Sequence, residues 1–186
     1  MIRPVVTIVC AALSVACAAS QPAAPPAASH AANPAESVAV LLASIEARAD
    51  AGDNDDLARS LARLDALGAR PAEGMGDDPV ERWRASAAGD AIPYRGRALG
   101  PAYRRGTLAA EGELELTQTF LSGKKAVIAV SSPAGTAPAL RVVSASGTTV
   151  CDSAASCRWI PTFTERYAII LRNPSRTART YYLVVD

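Results

Sequence analysis

The feature that most constrains this chain is a change of period near residue 99. Before it, apolar residues recur at helical spacing between helix-capping residues. After it, short runs alternate with turn residues. A chain built this way cannot be all-helical or a regular α/β repeat. It reads as mainly β with an N-terminal helical segment: two or three short helices over residues 34–89, then a β-sandwich over 99–186.

Each helix opens with recognisable residues. Asn33-Pro34-Ala35-Glu36 supplies an N-cap, a proline at the first helical position and a glutamate at the third. Val38, Leu41, Leu42, Ile45 and Ala49 then share one face, and Gly52 offers a stop. Asp53 and Asp56 are expected to cap a second helix carrying Leu57, Leu61 and Leu64 and ending at Gly68. Asp78-Pro79-Val80-Glu81 begins a third through Trp83, ending near Gly89. The short link between the first two predicts an antiparallel hairpin whose narrow apolar stripes need a surface to bury against.

The β half is read from alternation. Leu114, Leu116 and Phe120 share one strand face, with Glu113 and Glu115 on the other. Further strands are expected at 126–130, 140–144, 147–151, 157–160, 167–172 and 180–185. Short strands at this spacing indicate an antiparallel sandwich or barrel. Tyr181 and Tyr182 should point to opposite faces, leaving one exposed. About 87 residues make a small core, so a staple is useful. Cys151 and Cys157, six positions apart, are expected to form a disulfide in an exported protein. Composition adds a caution about core size: 49% of the chain is hydrophobic, but 40 of its 186 residues are alanine.

The N-terminus reads as an address. One charge at Arg3 precedes an apolar stretch from Val5 to Ala16 that is too short to span a membrane. Residues 1–17 therefore form a secretory signal, with two open readings of its end. Ordinary cleavage after Ala16 or Ala18 is one. The other takes Ser14-Val15-Ala16-Cys17 as a permissive lipobox, which makes Cys17 a lipidation candidate and anchors the chain to a membrane. Residues 18–33 form an Ala/Pro-rich linker, and the single histidine, His30, sits in it as a solvated residue.

Little in the sequence supports catalysis. A Ser-His-Asp triad would depend on His30. Ser122-Gly123-Lys124-Lys125 matches S-x-x-K, but in a turn between strands rather than at a helix start. The acidic run at Asp53 lacks the glycine and final glutamate of a calcium loop. No enzymatic activity, metal or cofactor is expected.

The net charge of +1 argues against a nucleic-acid partner. It is the sum of unequal parts: residues 18–89 carry 6 Arg against 11 acids, and 90–186 carry 12 Lys+Arg against 7 acids. The helices dock on the sandwich through these charges, or the sandwich meets an anionic envelope component while the helices meet an envelope protein, or the arginines are a general surface feature. Arg104, Arg105, Arg172, Arg176 and Arg179 are the candidate binding surface.

A resemblance bears on the same half. Trp159-Ile160-Pro161-Thr162-Phe163-Thr164-Glu165-Arg166-Tyr167-Ala168-Ile169 resembles the W-x-P-x-x-T-G-x-Y-x-I segment of bacterial pre-peptidase C-terminal domains. Ala139 to Val143 followed by Ser146 to Val150 is similar to that family's L-x-V-x-D-x-x-G-x-x-V strand pair, and Asn173 also fits. The match spans about Tyr103 to Asp186. It implies a jelly-roll-like sandwich attached to secreted enzymes or other exported proteins. Trp159, Phe163 and Tyr167 are expected as structural core. Where many members have an acidic D-x-D-L run, this chain has Ala137-Pro138-Ala139-Leu140, which puts an inherited calcium site in doubt. The functional expectation is an exported, periplasmic or membrane-anchored binding protein without catalysis. The alternative is an accessory module of a secreted hydrolase or peptidase system.

Overall fold

The computed structural model describes residues 33–53, 56–87 and 100–186. The signal, the linker up to residue 32, Cys17, His30 and Gly89 lie outside the described residues.

Helix α1 (Pro34–Asp50) begins as its sequence dictates. The Asn33 side chain accepts from the Ala35 amide at 2.9 Å, and Glu36 reaches back to the Asn33 amide at 3.4 Å. Gly52 takes the left-handed conformation (φ 75°) that ends it. In α2 (Leu57–Ala66), Asp56 occupies the N-cap without capping. Its carboxylate is drawn instead to Arg59 and, at 4.0 Å, to Arg48. Helix α3 (Pro79–Ser86) is capped by Asp78, which accepts from the Val80 amide at 3.0 Å.

Between α2 and α3 a two-residue strand β1 (Arg70–Pro71) runs parallel to β2 (Ala102–Leu108). The remaining strands are β3 (Glu113–Phe120), β4 (Ala126–Ser131), β5 (Ala139–Ser144), β6 (Thr149–Ala154), β7 (Ser156–Trp159), β8 (Glu165–Arg172) and β9 (Arg179–Val185). Sheet A has the order β1-β2-β9-β4-β7 and sheet B the order β3-β8-β5-β6. Apart from β1 all pairings are antiparallel. From β2 onward successive strands cross between the sheets, except for the β5–β6 hairpin within sheet B, in the way that makes a jelly roll, so the expected fold class is met.

Two cores follow from this topology. Between the sheets, Leu108, Ile128, Val130, Leu140, Val142, Ile169, Leu171 and Leu183 are buried. On the other face of sheet A, Tyr103, Val127, Ala129, Tyr182 and Val184 meet Val38, Leu42, Ile45, Leu61, Leu64 and Trp83 of the helices. The described body is therefore three layers deep: helices, sheet A, sheet B. Each fully buried aliphatic side chain in these layers contributes roughly 1.5–3 kcal/mol.

The layering changes two expectations. Tyr181 and Tyr182 do point to opposite faces of β9, but both are buried, because the helices cover the face that a two-layer sandwich would leave open. Alanine also packs: Ala35, Ala39 and Ala43 lie on the buried face of α1, and their small side chains let the helix lie close to sheet A. Ser131 of β4 donates to the Ala39 carbonyl across that contact. A glycine matters for a similar reason at Gly100, where a Cβ would stand 2.5 Å from the Gly68 carbonyl oxygen at the end of α2.

Candidate functional site

Arg104 and Arg105 are adjacent on β2, so they serve opposite faces of sheet A. Arg105 turns to the helices. Its Nε lies 3.1 and 3.2 Å from the Glu46 carboxylate oxygens, its Nη2 donates to the same group, and the Tyr182 hydroxyl donates there as well. Burial works to raise the Glu46 carboxyl, but the Arg105 and Tyr182 hydrogen bonds and the Arg105 charge outweigh it and hold the group below its ordinary value. Tyr182 is pushed up, first by burial and then by the carboxylate it faces. Nearby, the Tyr103 hydroxyl donates to Asp78 at 2.8 and 2.9 Å and is likewise pushed up, by burial first. A third link joins Arg158 of β7 to Glu36, with Nε at 2.9 Å from Oε1. The acidic helices thus dock on the basic sandwich through specific pairs, and Arg105 belongs to that interface rather than to a binding surface.

Arg104 turns the other way, into a cleft of about 590 Å³ at the β2/β3 edge of the sandwich. The cleft sits where β2 starts and β3 ends. Its floor comes from both sheets: Leu116, Phe120 and Ile169 on one side, Ala126, Leu183 and Val185 on the other. Its rim carries Arg70 from β1, Arg104 from β2, and Lys124 and Lys125 from the β3–β4 turn. None of these four cations forms an ion pair among the described residues. Arg104 makes one long contact, to the Glu73 carbonyl oxygen at 3.4 Å. Glu73 and Asp186 are the acidic residues of the lining, and Thr117, Gln118 and Thr119 add neutral donors and acceptors. An apolar floor under a cation-rich rim is suited to recognition of an anion with an apolar part.

The other arginine candidates do not join this site. Arg172 and Arg179 lie at the far ends of β8 and β9, paired in register with Glu113 and Leu108. Arg172 lines a smaller cavity of about 290 Å³ with Glu113, Arg141 and Asp152. Arg179 donates to the Thr136 carbonyl, and Arg176 is exposed in the β8–β9 turn. The five arginines therefore form no single surface. Arg70, Lys124 and Lys125 of the cleft lie outside the arginine set that the sequence suggests, and no local pattern marks them as cleft residues. In the sequence the two lysines belong to the S-x-x-K match Ser122-Gly123-Lys124-Lys125. That match is a turn, with the Ser122 hydroxyl donating to the Thr162 carbonyl at 2.7 Å.

The aromatic expectations divide. Tyr167 is buried and Trp159 half-buried, and they close a cluster with Phe120 at centroid distances of 4.8 Å (Phe120–Trp159), 5.7 Å (Phe120–Tyr167) and 5.2 Å (Trp159–Tyr167). Phe163 is not core: it is 73% exposed in the β7–β8 loop. It is not on a strand, so no alternation turns it inward. The disulfide is formed as expected, between Cys151 of β6 and Cys157 of β7, with Cα atoms 5.9 Å apart. It joins the edge strand of sheet B to the edge strand of sheet A, on the side away from the cleft.

Among the described residues no helix is long and apolar enough to cross a membrane. No family model matches the chain, and no curated protein does. Solved structures with distant likeness include the following three. One is PliG of Aeromonas hydrophila, a periplasmic lysozyme inhibitor of g-type lysozyme; it is 11% identical with a TM-score of 0.39, over 46% of this chain and 84% of that one. The Yersinia pseudotuberculosis-derived mitogen is 14% identical, with a TM-score of 0.36 over 46% of this chain and 84% of its own. A de novo designed double-stranded β-helix is 16% identical, with a TM-score of 0.30 over 45% and 97%. At these scores the likeness is one of β-rich architecture and not of function.

Proposed function

We propose that this is an exported, non-catalytic binding protein of the cell envelope whose inter-sheet cleft receives an anionic, partly apolar ligand. The observation that carries the reading is the convergence of Arg70, Arg104, Lys124 and Lys125 on one apolar-floored cleft without ion-pair partners among the described residues. Unpaired cations around a partly desolvated cavity attract an anion far more strongly than the same charges dispersed over a surface. Export is supported by the signal pattern of residues 1–17 and by the disulfide, which needs an oxidising compartment. A binding role is supported by the chemistry of the lining, whose hydroxyls have no histidine or thiolate beside them among the described residues to activate a nucleophile.

The test is calorimetric titration with a short-chain phosphatidylglycerol kept below its micelle concentration, with the matching phosphatidylcholine as control. Saturable binding of the anionic probe is expected, weakened at least tenfold in Arg70→Gln/Arg104→Gln, since each lost charge-assisted contact is worth roughly 1.5–3 kcal/mol. Equal binding of both probes, or an unchanged affinity in the double variant, rejects the reading.

A further inference from the structure

Four large apolar side chains stand out as exposed among the described residues: Val40, Leu121, Ile160 and Phe163. Three of the four lie on two adjacent loops. Leu121 is in the β3–β4 turn, and Ile160 and Phe163 are in the β7–β8 loop, with exposures of 58%, 65% and 73%. The two loops are tied together. The Ser122 amide donates to Thr164 Oγ1 at 3.0 Å, the Ser122 hydroxyl to the Thr162 carbonyl at 2.7 Å, and the Gly123 amide to the Pro161 carbonyl at 2.9 Å. They stand on the Phe120–Trp159–Tyr167 aromatic cluster, in which Phe120 and Trp159 directly precede the loops and Tyr167 lies near the start of β8. The apolar side chains are therefore presented by a braced tip and not by independent loop ends.

Charge surrounds them. Lys124 and Lys125 are exposed in the same turn as Leu121, and Arg166 is exposed at the start of β8. Glu165, half-buried beside Arg166, is the acidic residue of these loops and their flanks. An apolar tip ringed by cations matches the interfacial zone of a bilayer, where hydrocarbon begins beneath anionic headgroups. It suits a protein partner less well, because a protein interface of standard size needs about 800 Å² per partner, more than three side chains supply.

We infer that the paired loops 121–125 and 160–164 form a membrane-docking tip, in which Leu121, Ile160 and Phe163 enter the interface of an anionic phospholipid bilayer and Lys124 and Lys125 meet its headgroups. Leu121, Lys124 and Lys125 also line the cleft, so docking sets the cleft mouth against the lipid surface. Ile160 and Phe163 belong to the tip alone and Arg70 and Arg104 to the cleft alone, so variants at these unshared positions separate the two.

The test is sedimentation with vesicles, using chain purified after export and carrying Cys17→Ser so that no acyl group contributes affinity. Wild type on this background is expected to bind vesicles of phosphatidylglycerol and phosphatidylcholine, and to bind pure phosphatidylcholine weakly. Leu121→Ser/Ile160→Ser/Phe163→Ser should lower binding about tenfold or more. Lys124→Gln/Lys125→Gln should lower it roughly fivefold per lysine, with reduced salt dependence. Arg70→Gln/Arg104→Gln, which removes the two rim cations outside the tip and leaves the tip intact, should still sediment. Unchanged sedimentation of the triple serine variant overturns the inference. So does a concentration-dependent dimer that the triple variant abolishes without any vesicle binding by wild type, which would assign the tip to a second copy of the chain.

Discussion

Glu46 carries more of this molecule than its exposed-looking sequence context announces. It is an acidic residue within the apolar face of α1, and it is buried because Arg105 and Tyr182 reach it from two neighbouring strands. Removing one member of such a group strands the others without partners in a poorly solvated layer. Glu46→Ala is therefore expected to destabilise by about 3 kcal/mol, seen as a lower urea midpoint with unchanged m-value. A shift below 0.5 kcal/mol would mean that the group is solvated in solution. Residue-level legibility was uneven for a related reason. Asn33, Gly52 and Gly68 act through their own backbone neighbourhood, and that is printed in the sequence. Arg105 and Tyr182 meet Glu46 across 59 and 136 residues, and the loop that presents Phe163 is tied to Ser122 across about 40. Their surroundings are set by layer order, which no local pattern records.

Among the elements, α1 and β2 show the contrast. The capping box and apolar stripe of α1 made it readable, and its contact with sheet A follows from that stripe. Strand β2, Ala102-Tyr103-Arg104-Arg105-Gly106-Thr107-Leu108, has no such signature, since arginine lies on both faces and a glycine interrupts it. The glycine is there because the Tyr181 ring lies over it, within 2.8 Å of where a Cβ would be. A strand whose two faces meet different layers loses the simple alternation that betrays a half-exposed one. The seam between α1 and sheet A also sets a pH dependence. Burial works to raise both Glu36 and Glu46, but hydrogen bonds and charge from Arg158 and from Arg105 respectively prevail, leaving each carboxyl below its ordinary 4.5. A carboxyl depressed in the folded state contributes its stability in full above about pH 4.5 and loses it as pH falls through the folded value. Thermal midpoints should thus be nearly flat from pH 8 to 5 and fall below pH 4.5, and Glu46→Gln should flatten that fall. A midpoint in Glu46→Gln that tracks wild type through the acid range would remove Glu46 from the account.

For the molecule as a whole, the separate charges of the two halves find each other in the fold. A net charge of +1 results from an acidic helical layer seated on a basic sandwich, with Arg105–Glu46 and Arg158–Glu36 as the seams. The cations left over at the cleft and tip are those that no helix faces. Fold class was legible because strand spacing and helix capping are local. The cleft was not, since it gathers Arg70, Arg104, Lys124 and Lys125 from three separate stretches of chain. At this scale the disulfide is the main covalent constraint. Closing so short a loop contributes about 2 kcal/mol through the unfolded chain. Cys151→Ser/Cys157→Ser should lower the melting temperature by roughly 5–10 °C, and reductant should do the same to wild type while leaving the double variant unaffected.

The position of that bond has a mechanical consequence. The two sheets are bound like a book along the β6/β7 spine, and the cleft lies on the fore-edge at β2/β3. The chain itself stitches the fore-edge as well, because the β2–β3 and β3–β4 connections pass from one sheet to the other beside the cleft, so the covers are held on both sides and a guest must be accommodated by the side chains of the rim rather than by opening the book.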